Sequence, residues 1–105
     1  MDRIGIVGAG TMGSGIALAA LLSDISVTLY DVSGEMLEKA QAYAETHLER
    51  KRRAINLKYL SLTSSLEDLR GCTLVIEAVP EDLALKQELY TRLDAICPPP
   101  AILAT

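Results

Sequence analysis

The 105-residue chain has few of the residues from which disulfide frameworks and zinc sites are built. It contains two cysteines, Cys72 and Cys97, and a single histidine, His47. The cysteines are not closely spaced and neither lies near a histidine, so the spacing typical of zinc ligands is missing. We therefore expect no metal site and two reduced thiols, as in a protein of the cytoplasm or a similarly reducing compartment.

Long hydrophobic runs and an excess of positive charge are also missing. The longest apolar run near the N-terminus covers residues 16–22, which is too short to span a membrane. No basic leader precedes an apolar segment and a cleavage site, so no secretion signal is predicted. The formal net charge of −4 argues against a nucleic-acid groove. Half of the residues are hydrophobic and 23% are charged, as in one small globular domain.

The sequence does contain a glycine-spaced turn between a predicted apolar strand, residues 3–7, and an apolar-periodic helix. Its spacing is G-x-G-x-x-G, in which the first glycine allows a sharp turn, the second admits a pyrophosphate and the third permits close helix packing. The anion would then lie at the positive end of the helix. The candidate cofactor-binding residues of this glycine turn are Gly8, Ala9, Gly10, Thr11, Met12 and Gly13. Three spaced glycines alone also fit an ordinary turn.

The rest of the chain alternates strands with helices. Strands are predicted at residues 25–30, 61–63, 73–79 and 101–104, a turn of helix at 66–69, and longer helices at 34–53 and 82–96. Ser33 is the expected N-cap of the helix over 34–53. The buried face of that helix is expected to carry Met36, Leu37, Ala40, Tyr43, Ala44 and Leu48. This alternation predicts a Rossmann-type doubly wound parallel sheet, an α/β/α arrangement with strand order 3-2-1-4-5.

An acidic residue, Asp31, follows the second predicted strand, eighteen residues after Gly13. A carboxylate at this position accepts hydrogen bonds from both hydroxyls of the adenosine ribose and repels a 2′-phosphate. No lysine or arginine occurs between Asp31 and Lys39. The sequence therefore predicts NAD(H) as the cofactor rather than NADP(H).

The glycine turn, the run Val-Ile-Glu-Ala-Val-Pro-Glu at residues 75–81 and the closing Ala-Ile-Leu-Ala-Thr at 101–105 together resemble the 3-hydroxyacyl-CoA dehydrogenase family. The resemblance covers residues 3–105. Its second motif is the more specific one, because hydroxyacid dehydrogenases of the 6-phosphogluconate type share only the first. The resemblance implies the NAD-binding domain of an enzyme of fatty-acid metabolism. That enzyme would oxidise an L-3-hydroxyacyl-CoA to the 3-oxo thioester and pass hydride to NAD.

The resemblance also implies roles for residues outside the glycine turn. In the family, residues matching Glu81 and Lys86 contact the cofactor, and the helix after Asp31 meets the coenzyme A moiety. On that helix, His47 stands where the family usually has a small hydroxyl residue, and the basic run beginning at Arg50 is a candidate for the CoA phosphates. Each of these side chains also has a structural interpretation. Glu81 suits a helix start, and the others suit solvated or rim positions on a helix.

Two further expectations concern the end of the fourth strand and the end of the chain. Glu77 is either a cleft residue or a strand-end carboxylate in solvent. The family's catalytic Asn, Ser and His–Glu pair, and a helical domain that mediates dimerisation, would follow Thr105. We therefore expect residues 1–105 to be the N-terminal part of the cofactor domain, without turnover by themselves. A dehydrogenase of a non-CoA hydroxyacid and a non-catalytic NAD-binding module remain alternatives.

Overall fold

The computed structural model describes residues 3–78, residues 91–92 and the backbone of residues 102–104. Within them lies a parallel sheet in the order β3-β2-β1-β4-β5. Its strands are β1 (Arg3–Val7), β2 (Ser26–Tyr30), β3 (Leu60–Thr63), β4 (Leu74–Glu77) and β5 (Ile102–Ala104). Two helices, α1 (Thr11–Leu22) and α2 (Gly34–Arg50), connect β1 to β2 and β2 to β3. The predicted doubly wound Rossmann-type sheet and its strand order are confirmed.

The main core lies between one face of the sheet and helices α1 and α2. Ile6 of β1 and Leu29 of β2 are paired in register, so their side chains face the same side of the sheet. They are almost completely buried, as is Leu48 near the end of α2. The other fully or nearly buried members of this core are Ala9, Ala17, Ala20, Leu21, Val27, Leu37, Ala40 and Ala44.

The opposite face of the sheet is covered, in the described part of the chain, by a 3₁₀ helix at Leu66–Leu69 and by Cys72. A Cβ atom at Gly5 would lie 3.0 Å from both Cys72 Sγ and Leu69 Cδ2, so the strand accepts only a very small residue here. Apart from residues 91–92, which are helical, the helix predicted over 82–96 lies outside the described residues, as does Cys97.

Helix α2 begins as predicted and ends three residues earlier. The hydroxyl of its N-cap, Ser33, accepts a hydrogen bond from the backbone N–H of Met36 at 3.2 Å. At the other end Arg52 adopts φ 59°, in the left-handed region. The N–H groups of Arg52 and Arg53 donate to the carbonyls of Glu49 and Leu48, at 3.0 and 2.7 Å. This is a Schellman ending without a glycine, which is why the sequence-based helix end at residue 53 is wrong.

Helix α1 ends in the same way and is tied to the segment after α2. Asp24 has φ 62°, and the N–H groups of Asp24 and Ile25 bond back to the last turn of the helix. The amide of Asn56, which is buried, donates to the carbonyl oxygen of Leu21 at 2.9 Å and to Asp24 Oδ1 at 2.8 Å. Asn56 belongs to a 3₁₀ helix, Ala54–Tyr59, that the sequence did not predict.

The remaining differences are small. β2 begins one residue later than predicted and β3 one residue earlier, while β4 runs from Leu74 to Glu77 instead of over residues 73–79. Tyr43, expected on the buried face of α2, is 39% exposed: it lines an open pocket with Ala9 and Ser14, and its ring lies 4.3 Å from that of His47, centroid to centroid. Among the residues that the structure describes, no helix is long and apolar enough to cross a membrane, and no cluster of His, Cys, Asp and Glu is suited to a metal ion.

Candidate cofactor site

The glycine turn leaves β1 through a backbone conformation that favours glycine. Gly8 has φ 111°, and its N–H donates to the carbonyl of Tyr30 at 2.8 Å, which ties the turn to the end of β2. Beyond the turn, Ser14 forms two hydrogen bonds back to it. Its N–H donates to the carbonyl of Gly10 at 2.8 Å, and the Ser14 hydroxyl donates to the carbonyl of Ala9 at 3.2 Å. The turn is thus held both at the sheet and at the first turn of α1.

The third glycine permits a contact that a side chain would prevent. A Cβ atom at Gly13 would lie 1.8 Å from the carbonyl oxygen of Gly8, much closer than two such atoms can approach. The second glycine behaves differently, because a Cβ atom at Gly10 would meet only Met36 Cε, at 3.8 Å. Packing within the protein therefore requires glycine at position 13, whereas glycine at position 10 leaves the backbone open to a ligand.

An open cleft of about 330 Å³ lies at the carboxyl ends of β1, β2 and β4, where the strand order reverses. Ligands of doubly wound sheets bind at this point. The N-terminus of α1 faces the cleft with no acidic residue in its first turn, so its positive end is available to an anion. The residues that line the cleft are Gly8, Gly10, Thr11, Met12, Asp31, Met36 and Ala78.

Asp31 stands in the cleft wall with both carboxylate oxygens engaged. Oδ2 accepts a hydrogen bond from the N–H of Ala9 and Oδ1 accepts one from the N–H of Ser33, each at 2.9 Å. A carboxylate has about four acceptor positions, so two remain for ribose hydroxyls. Among the described residues, the cleft lining contains no lysine or arginine, and nearby Lys39 is paired with Glu35 at 3.3 Å. The site suits a ribose with free hydroxyls better than one with a 2′-phosphate.

The other predicted site residues have different outcomes. Glu81 and Lys86 lie outside the described residues. Glu77 is 0% exposed at the end of β4, so the solvent-exposed alternative is wrong. His47, which is half-buried, and Arg50, which is exposed, lie in the last turn of α2 and do not line the cleft.

Sequence reasoning missed two lining residues, Met36 and Ala78. The helical spacing predicts Met36 on the buried face of α2, but the side chain is only partly buried and lines the cleft. Ala78 directly follows β4, and its N–H donates to the carbonyl of Val7 at 2.8 Å. Its place at the carboxyl end of a strand next to β1 was the available signal, because the predicted strand order puts this position at the reversal point.

The fold and the cleft define a dinucleotide-binding Rossmann domain. Comparison with known proteins gives the particular family. The model of the family described as "3-hydroxyacyl-CoA dehydrogenase, NAD binding domain" matches residues 3–105. The chain belongs to this family, and NAD is its cofactor.

Individual relatives agree with the family. The chain is 38% identical over 114 residues to a probable 3-hydroxybutyryl-CoA dehydrogenase of Bacillus subtilis, covering all of the chain and 40% of that protein. It is 37% identical over 112 residues to a peroxisomal fatty acid beta-oxidation multifunctional protein of rice, covering 98% of the chain and 15% of the relative. The solved (S)-3-hydroxybutyryl-CoA dehydrogenase of Ralstonia eutropha superposes with a TM-score of 0.89 at 32% identity, covering 99% of the chain and 40% of that structure. The chain thus spans less than half of each.

Proposed function

We propose that the chain forms the cofactor-binding part of a protein that oxidises an L-3-hydroxyacyl-CoA to the 3-oxo thioester, with hydride transfer to NAD. The assignment of the cofactor site is supported by one observation: the Asp31 carboxylate lies in the same cleft as the open backbone at Gly10. The substrate side is supported by the relatives, of which the Bacillus subtilis protein is named for 3-hydroxybutyryl-CoA.

Different residues of the cleft would bind different parts of the dinucleotide. The backbone at Gly10 and the N-terminus of α1 would lie against the pyrophosphate, and Asp31 would accept hydrogen bonds from the adenosine ribose. Glu81 and Lys86 are proposed as further cofactor contacts on the family resemblance. The nicotinamide would supply the hydride acceptor, and the residues that remove the hydroxyl proton are proposed to follow Thr105.

The cofactor assignment is tested by fluorescence titration with NADH and NADPH. The chain should bind NADH at least tenfold more tightly, and Asp31→Ala should abolish this preference, because hydrogen bonds to a charged acceptor contribute about 1.5–3 kcal/mol each. Asp68→Asn is the matched control, since this exposed carboxylate contacts the hydroxyl of Thr63 and does not line the cleft. Equal affinities for the two cofactors in the unaltered chain would contradict the role of Asp31.

We also propose that His47 and Arg50 contact the coenzyme A moiety. Arg50 is exposed at the end of α2, and Lys51 and Arg52 follow it. Within the described part of the chain, Arg53 is the member of this basic run that forms an ion pair, with Asp24 at 3.8 Å. The other three cations are available to phosphate groups, and His47 lies one turn before them.

The CoA proposal is tested in the full-length protein with acetoacetyl-CoA and its 3′-dephospho analogue. Arg50→Gln should raise KM for acetoacetyl-CoA about fivefold with kcat unchanged, because a partly exposed charge contact contributes about 1 kcal/mol. The effect should disappear with the dephospho substrate if Arg50 contacts that phosphate. Arg70→Gln, at an exposed arginine after the Leu66–Leu69 helix, should change neither constant. An unchanged KM in Arg50→Gln would refute this contact.

The proposed whole protein is a cytoplasmic homodimer that acts on CoA thioesters. Residues 1–105 alone should bind NADH without reducing acetoacetyl-CoA, and turnover by this segment would contradict the proposed position of the catalytic residues. Sedimentation of the full-length protein tests dimerisation, and imaging of a tagged protein in its source cells tests the location. Activity on free 3-hydroxybutyrate equal to that on the CoA thioester would refute the substrate class.

A further inference from the structure

We propose that Asp31 positions the glycine turn in addition to binding the ribose. This inference rests on the proposed cofactor site and concerns the backbone that would receive the pyrophosphate. The carboxylate spans 22 residues of sequence to accept a hydrogen bond from the N–H of Ala9, between Gly8 and Gly10. Ala9 is 2% exposed, so this N–H is removed from bulk water and depends on Asp31 for its acceptor.

The bond to Asp31 sets the orientation of one particular peptide group. The N–H of Ala9 and the carbonyl of Gly8 belong to the same planar unit, and in a trans peptide they point in opposite directions. The N–H is directed to Asp31, and the carbonyl oxygen is directed to Gly13, where a Cβ atom would come within 1.8 Å of it. Asp31 therefore stabilises the orientation of the carbonyl against which the first turn of α1 packs.

The carboxylate is itself held firmly enough for this role. Its second oxygen accepts the N–H of Ser33 at 2.9 Å, and the N–H of Asp31 donates to the carbonyl of Thr63 at 3.2 Å. Asp31 is thus fixed to the start of α2 and to β3. Glycines on both sides of Ala9 allow the turn many backbone conformations, so a fixed acceptor reduces the number that it samples.

Amide hydrogen exchange tests the positioning role in the chain without any cofactor. Asp31→Ala should accelerate exchange at Ala9 at least tenfold, because a charge-assisted hydrogen bond is lost. The neighbouring N–H of Gly8 is the internal control, since its acceptor is the backbone carbonyl of Tyr30 and does not depend on Asp31. Asp31→Asn, which retains the shape and one acceptor oxygen, should give a smaller acceleration. Unchanged exchange at Ala9 in both variants would overturn the proposal.

Binding of inorganic pyrophosphate provides a second measurement. The expected change in affinity on removal of the Asp31 carboxylate differs in direction between a ribose-only role and a positioning role. If Asp31 acted only on the ribose, its removal would leave pyrophosphate affinity unchanged or raise it, because a negative charge near the anion is lost. If Asp31 positions the turn, both variants should bind pyrophosphate about threefold to tenfold more weakly. Glu35→Gln, which removes a carboxylate from the first turn of α2, should not weaken binding.

Failure of this inference can be told apart from failure of the cofactor site. Loss of the NADH preference in Asp31→Ala, with unchanged exchange at Ala9 and undiminished pyrophosphate affinity, would overturn only the positioning role. Failure of the unaltered chain to bind NADH would instead refute the proposed cofactor site.

Discussion

A methyl group at position 13 should separate α1 from the glycine turn. In Gly13→Ala the new Cβ atom would lie 1.8 Å from the carbonyl oxygen of Gly8 and 2.9 Å from its carbon. Both are backbone atoms, so no flexible side chain can move aside. Restoring a separation of about 3 Å requires a movement of more than about 1 Å by the helix or by the peptide group between Gly8 and Ala9.

The expected loss of stability follows from the contacts that such a movement disturbs. Overpacking by one methyl group typically costs about 1–3 kcal/mol, and rotation of the peptide group would also break the bond between Ala9 and Asp31, a charge-assisted bond of about 1.5–3 kcal/mol. We expect the free energy of unfolding to fall by about 3 kcal/mol or more. We also expect NADH affinity per folded molecule to fall at least tenfold, because the anion-binding backbone changes position.

Gly15→Ala is the matched control, because it adds the same methyl group to the same helix. Apart from its chain neighbours and the surrounding backbone of α1, a Cβ atom at Gly15 would have no heavy atom within 4 Å. The expected result is an increase in stability of about 0.5–1 kcal/mol, since glycine inside a helix is less favourable than alanine. Urea denaturation measures the free energy of unfolding of both variants. Their midpoints can be compared if the free energy falls with urea concentration at similar slopes. NADH titration measures binding.

A fall in the free energy of unfolding for Gly13→Ala, together with a rise for Gly15→Ala, would support the close packing of α1 against Gly8. Gly13→Ala with the stability and NADH affinity of the unaltered chain would refute the close approach of α1 to Gly8. A loss of stability in Gly15→Ala as large as that in Gly13→Ala would show that any added volume on α1 is harmful, and the specific role of Gly13 would then be wrong.

Two further predictions concern the ends of the helices. Asn56→Ala should lower the free energy of unfolding by about 1–3 kcal/mol, because it removes the buried amide that donates to Leu21 and Asp24. NADH affinity should not change in this variant. Asn56→Asp should be at least as destabilising as Asn56→Ala, because a carboxylate would then face two hydrogen-bond acceptors. An Asn56→Asp variant as stable as the unaltered chain would contradict the assignment of the Asn56 amide as donor. Arg52→Gly should raise stability by up to about 1 kcal/mol, because glycine adopts φ 59° without the strain of a side chain. Thermal unfolding measures this change, and a lower midpoint would show that the Arg52 side chain contributes more than its backbone conformation costs.

Much of the cofactor site could be predicted because its signals are local. Gly8 and Gly13 are required by a positive φ and by a helix that touches the turn, and both requirements show directly as glycine spacing. Asp31 was found from its distance along the chain after the glycines. The strand order followed from the alternation of strands and helices, since crossover connections between parallel strands have one strongly preferred hand.

Other features could not be predicted because their residues are ordinary at the level of sequence. Asp24 and Arg52 end helices in the left-handed conformation, where glycine is the usual signal. Asn56 reads as a loop residue until the structure places it against the end of α1. Tyr43 has the spacing of a buried residue, but in the folded chain it lines an open pocket beside the glycine turn and stays partly exposed.

The sequence by itself determined the class of fold, the glycine turn and the choice of Asp31 as the residue that distinguishes the cofactor. These depend on periodicity, on glycine and on spacing within one strand–helix–strand unit. The tertiary structure decided what Asp31 contacts, because its bond to Ala9 forms only when β1 and β2 pair in register and bring residues 22 positions apart together. The same carboxylate that marks the cofactor in the sequence is, in the folded chain, also bonded to the turn that receives it.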